Sequence, residues 1–145
     1  MALAAIGYLF ILEVLPMKEP MIRVLKVAPG EQPEIVTLEN ELSALQRAVS
    51  IGTDYVGLIE IIQISEEVCL LCNEEGKLNG LKPNRRIGNG TDILCGVFYL
   101  TGQTEDGDLA SLPEPAMQMC MKRFAEPEHI EDWEVDKALV MRFFC

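Results

Sequence analysis

The sequence is poor in the residues on which most catalytic and metal sites depend. Among its 145 residues there is one histidine, His129, and one tryptophan, Trp133, and aromatic residues make up only 6%. A Cys–His nucleophilic pair would have to use His129, which stands in the acidic stretch 126–136 with no base among its neighbours; that setting describes a solvated surface residue. Positive charge is scarce too. Twelve Lys plus Arg oppose twenty-three Asp plus Glu, giving a formal net charge of −11, which argues against a general electrostatic grip on phosphate backbones and hence against direct nucleic-acid binding. The chain contains no G-x-G-x-x-G, Walker A loop, H-E-x-x-H or nucleophile elbow, and its acidic run lacks the spacing of a calcium loop. No catalytic residue, metal or cofactor is expected.

Long apolar runs are missing as well. The nearest approach is Met1 to Leu15, carrying only Glu13 as a charge and ended by Pro16. As a helix it would span about 22 Å, short of the roughly 30 Å hydrocarbon core, and it lacks the basic start and the small-residue cleavage site of a signal peptide. No membrane association is expected. Two readings of residues 1–20 stay open: a segment docked on the domain, or an upstream start codon ahead of a true beginning at Met17 or Met21. Regular domain grammar begins only at Met21, which favours the second.

Cysteines number five, at positions 69, 72, 95, 120 and 145. An odd number scattered through regular structure suits a reducing cytoplasm better than a secreted disulfide framework. Cys69-Leu-Leu-Cys72 has the spacing of a zinc knuckle or redox pair, but it lies in an apolar run that reads as a strand, where positions three apart point to opposite faces. Two buried small hydrophobes are expected.

What is present describes one acidic globular domain. Hydrophobic residues make up 49% and mean hydropathy is +0.17, which excludes intrinsic disorder and leaves enough chain to bury a core. Met21–Ala28 reads as a first strand, ended by Pro29-Gly30, and Glu34–Leu38 as a second, antiparallel to it. Leu38, Leu42, Leu45 and Val49 recur at helical spacing, predicting a helix over 40–50 capped by Asn40 or Thr37 and stopped by Gly52. Strand-like runs follow at Tyr55–Ile64, Val68–Asn73 and Ile93–Thr101, with a long connection over 74–92. Ser111-Leu-Pro-Glu114 has the form of a capping box ahead of Met117, Cys120, Met121 and Phe124 at helical spacing. Residues 133–144 fit a helix or an edge strand. The order ββαβββα predicts an α+β fold: a single domain with a mostly antiparallel sheet of about five strands and two helices. Both parities of Tyr55–Ile64 and Ile93–Leu100 are apolar, so both sheet faces need cover, from the second helix, a terminal segment or a partner subunit.

The segment Asn73-Glu-Glu-Gly-Lys-Leu-Asn-Gly-Leu-Lys-Pro-Asn-Arg-Arg86 is the most informative. It combines a strand end, a turn at Gly76, and Asn84, Arg85 and Arg86, a dibasic spot in an acidic molecule. An arginine pair beside backbone amides could seat an anion; the structural reading has Asn84 capping a turn and Arg85 pairing with Glu74 or Glu75. Asn73, Glu74, Gly76, Lys77, Asn84, Arg85 and Arg86 are the candidate ligand-binding residues.

The strings IRVLKVAPG, VTLENELSALQRAV, CLLCNEEGKLNGLKPNRR, DILCGVFYLTG and SLPEPAMQMCMKRF resemble an uncharacterised family of small domains encoded by phages and mobile elements of Gram-positive bacteria. The resemblance covers about residues 21–125, most specifically NEEGKLNGL-x-x-NR, and divides the chain into an apolar leader (1–20), a family-like α+β domain (21–125) and an acidic extension (126–145). Gly52 and Glu60 match a glycine and an acidic position of the family, whereas Ile51–Asp54 and the short connection Ile87–Thr91 depart from it. The family carries no assigned activity and supplies context; with the absence of a catalytic constellation and a sheet whose faces need cover, that context gives the expectation of a non-enzymatic binding protein of the bacterial cytoplasm, acting on a host protein or a small anionic ligand, with counter-defence as a setting and room for an oligomer. An acidic DNA mimic that blocks a DNA-binding host enzyme and an enzyme with a site near Asn73–Arg86 are the competing expectations.

Overall fold

The computed structural model describes residues 18–144; the expectations for the apolar leader fall on residues outside that range, apart from its last three. Apolar alternation sets the first strand. β1 (Met21–Val27) sends Ile22 and Val24 to one face and Leu25 and Val27 to the other, all four fully buried. After the turn at Gly30, whose φ of +74° suits glycine, β2 (Glu34–Glu39) returns antiparallel in the register Met21↔Glu39 to Lys26↔Glu34. α1 (Leu42–Val49) then turns Leu45 and Val49 inward. The expected caps are corrected: Glu41 is the cap residue and makes no side-chain cap bond. Asn40 instead donates to the carbonyls of Glu19 and Leu109, at 2.9 and 3.0 Å, because a buried amide is better satisfied there than at an exposed helix start.

β3 (Ile59–Gln63), β4 (Val68–Asn73), β5 (Pro83–Ile87), β6 (Asp92–Cys95), β7 (Phe98–Gln103) and β8 (Leu109–Ala110) follow, then α2 (Glu114–Arg123) and α3 (Asp132–Phe144). The main sheet runs β2-β1-β7-β4-β3, with β8 paired to β7, and β5 and β6 form a separate hairpin. Every pairing is antiparallel. The molecule is an α+β domain with a mostly antiparallel sheet, as the element order predicts.

Several boundaries differ from the sequence reading, and β3 begins at Ile59 rather than Tyr55. The run Ile93–Thr101 is two strands in two sheets, broken at Gly96, where φ is +84° and a Cβ would sit 2.7 Å from the Leu81 side chain. The connection 74–92 contains β5, whose sequence PNRRI lacks any strand signature. The capping box does not form: Pro113 caps α2 without a side-chain bond, the Ser111 hydroxyl bonds Glu19 and the Arg23 amide, and Glu114 pairs with Arg23. Residues 132–144 are helical.

Both sheet faces are covered from within the chain. α1 packs on Ile22, Val24, Leu71 and Tyr99. On the opposite face α2 delivers Met117, Cys120 and Phe124 onto Leu25, Leu70, Phe98 and Leu100, each fully buried aliphatic side chain contributing about 1.5–3 kcal/mol. Phe98 and Phe124 meet edge to face at 5.2 Å. The β5–β6 hairpin covers the rest of this face through Leu94, and its outer side carries α3 through Ile93, Cys95, Val135 and Ala138.

Candidate functional site at the β4 turn and the β5 strand

The Asn73–Arg86 segment divides into two sites of different character. At the end of β4 the buried Asn73 folds its side chain back on the turn: its Oδ1 accepts the Glu75 amide at 2.9 Å and its Nδ2 donates to the Val49 carbonyl at 3.4 Å, an Asx turn anchored to the end of α1. Gly76 then lies directly on β6, where an added Cβ would fall 2.6 Å from the Cys95 carbonyl. Only glycine allows that approach. It brings Lys77 across, so that its nearly buried Nζ pairs with Asp92 and donates to the Ile93 carbonyl at 3.1 Å.

Between this turn, β3, β6 and α3 opens a cleft of about 250 Å³. Glu60, Glu74 and Glu75 line it together with Lys77, and Leu78, Leu94 and Leu139 supply apolar wall. The Cys72 thiol donates to the Glu60 carboxylate at 3.8 Å, as their direct cross-strand pairing requires. Cys95 also lines the cleft. Burial pushes its thiol up to about 11, with Lys77 opposing the rise and Asp92 adding to it; a thiol so placed is protonated at neutral pH and is not an activated nucleophile.

The second half of the segment turns inward. Asn84 is fully buried, donating to the carbonyls of Val27 and Gly96 at 2.9 and 2.8 Å. Its Oδ1 accepts Arg85 at 2.7 Å. Arg85 is only 1% exposed, and it donates to the carbonyls of Glu31 and Phe124 at 2.7 and 2.9 Å, leaving Nε as its enclosed atom without a partner among the described residues. Phe124 is the last residue of α2's cap, so the guanidinium sits where the helix dipole favours a cation. Desolvation lowers the Arg85 pKa, against a raising influence from Glu128, and an arginine remains charged regardless. The acids expected to pair with it, Glu74 and Glu75, are at the cleft instead. Arg86 bridges Glu128 and Glu134 at 2.8 and 2.7 Å, clamping α3 to the hairpin. Those hydrogen bonds raise its pKa and hold the Glu134 carboxyl below its ordinary range.

A protein-family model matches residues 22–125, from β1 to just beyond α2, and so takes in both halves of the segment. The chain belongs to the DUF3846 family. DUF3846 is described as a domain of unknown function. No curated protein and no solved structure matches the chain. The DUF3846 domain itself supplies Asn73–Lys77, Glu60 and the Arg85 network, while α3 lies outside the matched span and adds Leu139 and Glu134.

Around this DUF3846 core, among the described residues, no three His, Cys, Asp or Glu side chains gather as a metal site, and no helix is long and apolar enough to cross a membrane. Cys69 and Cys72 are buried in a regular strand, on opposite faces of it. His129 is exposed and contacts Glu131 at 2.8 Å. Of the cleft's lining, the sequence reading placed only Asn73, Glu74, Gly76 and Lys77 in the site; Glu60, Glu75 and Ile93–Cys95 are among those it did not. The available signal was Glu60, an acid in a strand of isoleucines; its cross-strand neighbour emerges only with the register.

Proposed function

We propose that this DUF3846 protein is a non-enzymatic binding protein whose cleft beneath the β4 turn receives a cationic side chain of a partner protein. The charge of the cleft carries this reading. Among the described residues, the exposed carboxylates of Glu74 and Glu75 line it, and the charge of the lining Lys77 is met by Asp92. Such a concave acidic surface with apolar walls attracts an ammonium or guanidinium and grips the methylene stem behind it. A small anionic ligand has less support, since Arg85 is enclosed and Arg86 is held by two carboxylates. A phosphate-mimicking stripe has less as well, because Glu114, Glu128 and Glu134 are engaged with arginines. In the phage or mobile-element setting that the resemblance implies, the partner is a host protein of the bacterial cytoplasm, and occupying its surface is a counter-defence role that needs no catalysis.

Fluorescence anisotropy with short labelled peptides tests the proposal. A peptide presenting Lys or Arg between leucines is expected to bind the full chain, its Glu-substituted counterpart is not, and a Glu74→Lys/Glu75→Lys variant should lose at least tenfold in affinity. Equal binding of both peptides, or of both proteins, contradicts it.

A further inference from the structure

β3 is one edge of the main sheet, and no strand lies beyond it among the described residues. The bonds from the Glu74 amide to the Leu58 carbonyl and from the Ile64 amide to the Val68 carbonyl fix which residues of β3 bond to β4. They are the even-numbered ones, so the amides and carbonyls of Ile59, Ile61 and Gln63 point outward. Among the described residues this edge has no proline or lysine, Glu60 is the one charge within the strand, and its register with β4 is continuous. The opposite edge, β2, begins and ends on glutamates and follows Pro33. Among the described residues, five exposed large hydrophobics fall between Tyr55 and Ile64, in β3 and its flanks, and Ile61, at 56% exposure, is the one within the strand.

From this edge we infer that two copies of the chain join β3 to β3 antiparallel, about a two-fold axis through Ile61, and continue the sheet across the dimer. The sequence of the strand is self-complementary in that register. Ile61 pairs with its own copy and Ile59 with Gln63, all through outward-pointing backbone groups, and Glu60 falls opposite Ile62. The one-residue-shifted axis through Glu60 would set two glutamates face to face, which is destabilising. In the favoured register the exposed Ile61 side chains cover each other, and no acid faces an acid. Glu60 of β3 also lines the cleft, but the inference rests on the backbone edge, and its partner is the chain itself.

The test is sedimentation velocity of the full chain across a concentration series, with Ile61→Pro as the variant. Proline deletes an outward amide and none of the bonds to β4, and edge strands accept it. The wild type should sediment as a dimer that dissociates on dilution and tightens as salt screens the acidic chains, whereas Ile61→Pro should be monomeric. A second measurement guards against misfolding of that variant. Oxidised Ile61→Cys should cross-link to its own copy, because directly opposed residues lie about 5.5 Å apart, within disulfide reach. Ile59→Cys should cross-link no more than the parent chain. A wild type that stays monomeric throughout, with the edge open to some other chain, overturns the inference, as does equal cross-linking at 59 and 61.

Discussion

Arg85 carries the largest burden of any single side chain in the DUF3846 domain. Its guanidinium joins the turn after β1, the buried amide of Asn84 and the C-terminal carbonyl of α2, three segments far apart in sequence. Hydrogen bonds to a charged donor are worth roughly 1.5–3 kcal/mol each, and stranding their acceptors costs desolvation as well. Arg85→Ala is therefore expected to destabilise the fold by about 3 kcal/mol or more, read as a fall in the urea midpoint at unchanged slope. Arg85→Lys should recover only part of that loss, since an ammonium cannot reproduce the fork. If Arg85 instead served an external anion, its loss would leave stability within about 0.5 kcal/mol of the wild type. The sequence marks Arg85 as unusual, for it belongs to one of the two dibasic pairs of an acidic chain. It does not reveal that the charge is spent internally, because the acceptors are backbone carbonyls and carry no residue signature. The turn at Asn73 and Gly76 is more legible, as both residue types declare the geometry they adopt.

Elements built on apolar alternation, β1, β2, β4 and α1, lie within two residues of where the periodicity puts them. β5 escapes the reading because its stability comes from the buried polar pair Asn84 and Arg85 rather than from hydrophobic residues, and β6 and β7 merge into one run until the conformation of Gly96 separates them. α3 is ambiguous in sequence for a related reason: its seat on the hairpin depends on an ion pair as much as on its apolar face. Arg86 depresses the Glu134 pKa chiefly through their hydrogen bond. A depressed carboxylate contributes stability that is fully present above its unfolded value, about 4.3, and is lost as pH falls through the folded value. On acidification below about pH 4.3, α3 is accordingly expected to leave the hairpin before the sheet unfolds. Trp133, the sole tryptophan and a residue of α3, reports this directly. Its fluorescence should change at a higher pH than the far-ultraviolet circular dichroism, and Glu134→Gln should bring the two transitions together.

At the scale of the whole molecule, a net charge of −11 is distributed so that Arg86 is neutralised by Glu128 and Glu134, Arg85 is held by backbone carbonyls, and acidic side chains remain around the cleft beneath the β4 turn. The account rests on that sorting: the cationic half of the Asn73–Arg86 segment builds the domain, and the acidic half faces a partner. Amide-resolved NMR tests it most directly, by titrating the full chain in parallel with a Leu-Lys-Leu peptide and with ATP. The account predicts shifts from the peptide confined to Glu60, Glu74–Leu78 and Ile93–Cys95, and none there from ATP. Saturable shifts from ATP at Asn84–Arg86, with the cleft silent to the peptide, would contradict it.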